Sequence, residues 1–121
     1  MTRRTKGQLE AAISQAMVKF EREYMGRGPT DIKTDLLRDL VIIRLWGILT
    51  PAEHQLVKVE GVELLKHVRT KLLETGRQRL EKSIEDITGL PVISMHSDLS
   101  TKTGERVIIF VLSEDIEERL A

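Results

Sequence analysis

The chain has no cysteine. That excludes disulfide bonds and thiolate chemistry, and it suits a reducing compartment. Aromatic residues are nearly as scarce: one Trp, one Tyr and two Phe in 121 residues. A sheet that stacks RNA bases needs several exposed rings, so nucleic-acid binding ranks low among the readings. An excess of one charge is missing too. Nineteen Lys and Arg offset nineteen Asp and Glu, and no global field draws the protein to nucleic acid or an anionic membrane. No uncharged apolar run approaches the roughly 20 residues of a membrane helix, which predicts no membrane insertion. Met1-Thr2-Arg3-Arg4-Thr5-Lys6 is basic, but no apolar segment follows it, so this stretch does not read as a signal peptide. The three histidines, His54, His67 and His96, never share a helical turn. With no cysteine to help them, no metal site is predicted, and no cofactor is implied.

What is present is enough for one domain, 1–121, with a core of ordinary size and residues 1–6 as a flexible basic tail. From Gly7 or Thr5, the residues Leu9, Ile13, Met17, Phe20 and Tyr24 repeat with helical period and predict an amphipathic first helix. Gly26-Arg27-Gly28-Pro29 stops it, because Pro29 biases Gly28 away from the helical region and removes a donor. In 30–47, Ile32, Thr34 and Leu36 alternate with Asp31, Lys33 and Asp35, and Leu40 to Leu45 is nearly all apolar. Together they predict a β-hairpin. Thr50-Pro51-Ala52-Glu53 is a helix start, with Thr50 as cap, Pro51 at the first helical position and Glu53 reaching back to the Thr50 N–H.

Pro51 to about Leu56 is expected as a short helix. Gly61 bends the chain into a long helix to about Thr88, with an inward stripe of Leu64, Leu65, Val68, Leu72, Leu80, Ile84 and Ile87. At 1.5 Å per residue this helix would span about 40 Å, with Gly76 as its weak point and Gly89 as its stop. Val92 to Asp98 and Arg106 to Leu112 predict a second hairpin with Gly104 in the turn. Ser113 is placed to cap a short terminal helix. The expected order is therefore α-β-β-α-β-β: an α+β two-layer sandwich with a four-stranded antiparallel sheet and the helices on one face.

Three blocks are more specific than this pattern: Gly26-Arg27-Gly28-Pro29, Leu49-Thr50-Pro51-Ala52-Glu53, and Ser97-Asp98-Leu99-Ser100-Thr101-Lys102-Thr103-Gly104-Glu105. On these the chain, from about Gly7 to Leu112, resembles the MpsC-like family of small bacterial proteins. That family is named for a component of a sodium-translocating, membrane-potential-generating system. The resemblance implies a soluble accessory or regulatory subunit, cytoplasmic and peripheral to the membrane through a transporter partner. It brings no catalytic residues with it. One departure is Leu37-Arg38-Asp39, where a Gly-containing turn is expected.

Two helices cover one sheet face, and the other face should then be polar in a monomer. It is not. With Val41, Ile43, Leu45, Ile93, Met95, Ile108, Phe110 and Leu112 assigned to the core, Leu40, Ile42, Trp46, Val92, Val107, Ile109 and Val111 point the other way. The simplest resolution is a homodimer packed through this second face. A slip of one residue in register would exchange the two sets.

No catalytic residue is predicted, and the primary reading is non-enzymatic. Arg44, His96 and Asp98 share the second face and form a candidate ligand site for a small anion or nucleotide, with Arg44 as the fork and His96 as the proton carrier. The competing reading is a polar cluster satisfying its own charges. Arg27 and the hairpin tip, through Asp98, Thr101, Lys102, Thr103 and Glu105, are candidate partner-docking residues. The tip hydroxyls could hold an anion with backbone N–H groups or simply brace the turn.

Overall fold

A computed structural model describes residues 4–120. The first helix, α1, runs Lys6–Tyr24. Thr5 caps it by accepting from the Gln8 N–H, and the Gln8 side chain accepts from the Thr5 N–H. Of the two starts expected, Gly7 or Thr5, the helix takes Thr5 as its cap, so Thr5 and Lys6 of the basic stretch belong to the helix start, and Lys6 Nζ meets Glu117 at 3.1 Å. Residues 1–3 of that tail lie outside the described residues. Strands β1 (Asp31–Leu37) and β2 (Leu40–Trp46) form the first hairpin. Helices α2 (Pro51–Glu60), α3 (Val62–Thr75) and α4 (Arg77–Thr88) follow. Strands β3 (Val92–Leu99) and β4 (Arg106–Leu112) close the sheet in the order β1-β2-β4-β3, antiparallel throughout. The two-layer α+β architecture is the expected one, with α1, α3 and α4 packed on a single sheet face.

The core lies between the layers. Ile13, Met17 and Phe20 of α1 meet Val41, Ile43 and Leu45 of β2, Ile108 and Phe110 of β4, and Leu65, Leu73, Leu80 and Ile84 of the later helices. Both sheet edges are capped by helix carboxylates: Glu10 accepts from the Leu36 N–H at 2.9 Å and Glu85 from the Val92 N–H at 2.8 Å. An edge so occupied is a poor template for strand addition.

Four expectations need correction. The long helix is two helices. The chain breaks at Gly76, where a Cβ would stand 2.7 Å from Phe20 Cζ and 3.0 Å from Tyr24 Cε1. The stacked Phe20 and Tyr24 rings, 5.0 Å apart, take the space a side chain would need. The inward stripe of α3 is Leu65, Arg69 and Leu73, while Leu64, Val68 and Leu72 are exposed. In β3 an irregularity between Val92 and Ser94 reverses two assignments. Val92 packs against the core and Ile93 is 65% exposed. A bulge inserts one unpaired residue, which shifts the alternation on one side of it. The terminal helix is a single turn, Glu117–Arg119, whose Glu117 N–H is bound by the Asp115 carboxylate rather than by Ser113.

Candidate functional site

The open sheet face carries the residues that sequence reading grouped. Register places Arg44 opposite Val107 on β4, and Asp98 opposite the same Val107 from the other side. His96 lies opposite Ile109. Arg44 and Asp98 thus share a row but are separated by a strand. Arg44 has its own partner. Its Nε and Nη2 donate to Glu105 Oε2 at 3.0 and 2.6 Å, and its guanidinium lies 4.8 Å from the Trp46 ring centre. His96 Nε2 is 3.1 Å from Ser94 Oγ. Asp98 turns toward the helix layer, where Oδ1 accepts from Lys66 Nζ at 3.2 Å and from the Leu99 N–H at 2.8 Å. These contacts hold its carboxyl below the usual range, the Leu99 N–H contributing most.

The hairpin tip braces itself. The N–H groups of Ser100, Thr103, Gly104 and Glu105 all donate within the loop, so they do not form an open anion nest. A surface groove of ≈ 340 Å³ runs between this tip and the start of α3, touching Val62, Lys66, Thr101 and Lys102. Arg27, on the turn after α1, donates through Nη1 to the Leu49 carbonyl at 3.3 Å. Since Leu45 pairs with Arg106 and Trp46 with Asp31, Arg27 and the tip stand at the same end of the sheet.

Beneath that end lies a charge cluster that sequence reading missed. Glu21, Arg69 and Arg106 are buried. Arg106 Nη1 donates to Glu21 Oε1 at 3.3 Å, and Glu21 Oε2 has no partner among the described residues. Burial pushes the Glu21 carboxyl above its ordinary value despite Arg106 and Arg69, and burial likewise pulls Arg106 down. Arg69 is held more tightly. Its Nε and Nη2 donate to Glu53 Oε2 and Oε1 at 2.7 and 2.6 Å, and Nη2 also reaches the Ile48 carbonyl at 3.0 Å. Burial acts to raise Glu53, but the Arg69 and Thr50 hydrogen bonds outweigh it and leave the carboxyl lowered. Glu53 also completes the capping box of α2, accepting from the N–H of the cap residue Thr50 at 2.9 Å. One carboxylate therefore starts α2 and ties it to α3.

A cavity of ≈ 60 Å³ opens beside this cluster, between α3 and the end of β3. Arg69 and Arg106 lie at it together with Lys66, Thr70, Ser97 and Asp98. Among the described residues no group of three or more His, Asp or Glu is arranged for a metal ion. No helix there is long and apolar enough to cross a membrane.

The three sequence blocks singled out above converge here. Gly26–Pro29 follows Glu21, whose carbonyl accepts from the Met25 and Arg27 N–H groups. Leu49–Glu53 supplies Glu53, and Ser97–Glu105 leads into Arg106.

The similarity to known proteins spans this whole arrangement. An uncharacterized Bacillus subtilis protein, YbcI, is 44% identical over 119 residues, which is 98% of this chain and 96% of the relative. A second uncharacterized protein of that organism, YrhF, is 25% identical over 103 residues, 84% of each chain. No solved structure matches significantly. The family model described as "Na+-translocating membrane potential-generating system (MpsC)" matches residues 5–114, and the chain belongs to the MpsC family.

Proposed function

We propose that the protein is a non-enzymatic accessory or regulatory subunit of a membrane system for sodium-linked ion or inorganic-carbon uptake, acting from the cytoplasmic side through protein contacts. The observation that carries this reading is the uncovered sheet face. Leu40, Ile42, Trp46, Val107, Ile109 and Val111 are each only partly buried, and Leu37 and Ile93 at the margins are 51% and 65% exposed. Among the described residues, α1, α3 and α4 bury the opposite set, Val41, Ile43, Leu45, Ile108 and Phe110, in the core. A contiguous apolar surface of this kind marks an interface. A second copy of the chain, face to face, is the occupant in this reading. The transporter then contacts the end of the sheet where Arg27, Thr101, Lys102 and Thr103 project.

The test has two arms. Ile109→Glu places a charge at the centre of the face and should convert the oligomer to monomer in sedimentation, with the circular dichroism spectrum retained. A monomeric wild-type protein would sink the dimer. Pull-down of the tagged protein from its own cells in mild detergent should recover a multi-spanning membrane protein, and truncation of the 100–104 tip should lose it. Recovery unchanged by the truncation would refute docking at the tip.

A further inference from the structure

We infer that the small cavity between α3 and the end of β3 is a binding site for one small inorganic oxyanion, held by Arg106, Arg69 and Lys66. The walls decide the sign of the ligand. Lys66, Arg69 and Arg106 line it together with two hydroxyl residues, Thr70 and Ser97, and a single carboxylate residue, Asp98. The depth decides the strength. Arg69 and Arg106 are 5% and 2% exposed, so their charges act on the cavity with little screening by water.

Arg106 is the part built for a ligand. Its guanidinium has five N–H donors in a planar fork. Among the described residues it makes one side-chain hydrogen bond, the 3.3 Å contact to Glu21 Oε1. Arg69, by contrast, is committed to Glu53 and the Ile48 carbonyl. A buried guanidinium with donors to spare, at the wall of a polar cavity, is an unfilled demand for acceptor oxygens. Its protein partner fits poorly, since Glu21 Oε2 is left without a hydrogen bond.

Size narrows the class. A water needs about 10–15 Å³ measured this way, so ≈ 60 Å³ admits a few waters or one ion of the size of bicarbonate, sulfate or phosphate. A nucleotide does not fit. Two of the wall residues form a weak, exposed latch. Lys66 and Asp98 pair at 3.2 Å with side chains 37% and 83% exposed, and such a pair holds little free energy against water. Released from Asp98, Lys66 is free to turn to the anion.

The experiment is a titration of the full chain with phosphate, sulfate and bicarbonate, each against chloride at constant ionic strength. It is followed by melting temperature and by calorimetry. At least one oxyanion should give a saturable rise in melting temperature. Lys66→Gln should weaken that binding about tenfold, as expected for loss of a charged hydrogen bond. Asp98→Asn keeps the acceptor for the Leu99 N–H but removes the competing charge, and should tighten binding several-fold. Arg44→Ala, on the open face, should leave it unchanged. The inference is overturned if none of the three ions acts beyond chloride. It is equally overturned if Lys66→Gln and Asp98→Asn bind as the wild type does, or if Arg44→Ala abolishes the effect. Because both informative substitutions are at the solvent-exposed latch, neither threatens folding.

Discussion

Arg106 and Glu21 face each other through a single hydrogen bond, their side chains 3% and 0% exposed. Desolvating two charges costs several kcal/mol each, and a one-point contact repays only part of it. Removing one partner is worse than removing both. Glu21→Leu should lower the unfolding free energy by about 3–5 kcal/mol, because Arg106 is then buried beside an apolar chain and cannot shed its proton. Arg106→Leu should cost less at acidic pH, where Glu21, its carboxyl already raised by burial, can become neutral by protonation. The double variant should recover most of the loss. Urea denaturation of the four proteins measures the coupling, and additive losses would mean that the two side chains do not act as a pair.

The same pair sets a pH dependence. The Glu21 carboxyl is raised by burial, so the folded protein holds this proton more tightly than the unfolded chain does. Its contribution is fully present below the ordinary carboxylate value and is lost as pH rises through the raised one. Glu53 runs the other way. Its lowered value gives stability above the ordinary range that is lost as pH falls. Glu21→Gln removes only the first effect. Melting temperatures from about pH 4 to about pH 8 should show this variant gaining on the wild type as pH rises past the ordinary carboxylate value. A constant difference across that range would assign Glu21 no titration of its own.

The sheet layer and the start of α2 were legible because they depend on local chemistry. Thr50, Pro51 and Glu53 specify a capped helix start within four residues, and the structure contains that box. The buried charges were missed for a reason that can be stated. Glu21 falls four residues after Met17, Arg69 lies midway between Leu65 and Leu73, and Arg106 is in phase with Ile108, Phe110 and Leu112. All three sit on the apolar face of their own element. Reading charged residues as solvent-facing by type, rather than by phase, hid them. The β3 irregularity had no such signal, since Val92 and Ile93 are both apolar and β-branched. Which of them turns inward depends on pairing with β4. Where Arg44, His96 and Asp98 would lie relative to one another was equally out of reach, because that depends on strand order, which periodicity does not encode.

Gly76 shows tertiary contact overruling helix preference. Alanine there should favour a continuous helix by about 1 kcal/mol. Its Cβ would lie 2.7 and 2.8 Å from Phe20 ring carbons and 3.0 Å from Tyr24, and overpacking of this kind costs about 1–3 kcal/mol. Gly76→Ala is therefore expected to be destabilising overall in urea melts. Adding Phe20→Leu should make the alanine better tolerated than it is beside the intact ring. If Gly76→Ala stabilises the protein, the break between α3 and α4 reflects glycine's weak helix preference alone.

Arg38 occupies the place where the hairpin between β1 and β2 needs a left-handed residue. Its φ is 58°, and it is the one non-glycine residue with positive φ among those described. That conformation costs an L-residue roughly 1–2 kcal/mol. It persists because both carbonyls of the turn are engaged: Arg38 O accepts from the Ile116 N–H at 2.8 Å and Asp39 O from the Leu112 N–H at 2.7 Å. The turn is thus pinned to the end of β4 and the segment after it, with Ile116 itself buried in the core. Glycine would relieve the strain but widen the unfolded ensemble, so Arg38→Gly should raise stability by less than about 1 kcal/mol. Valine, whose branched Cβ tolerates this region least, should lower it by about 1–2 kcal/mol. Melting temperatures of the two variants bracket the wild type if the strain is real. If Arg38→Val melts with the wild type, the turn relaxes at no cost, and the hydrogen bonds from Ile116 and Leu112 do not hold it.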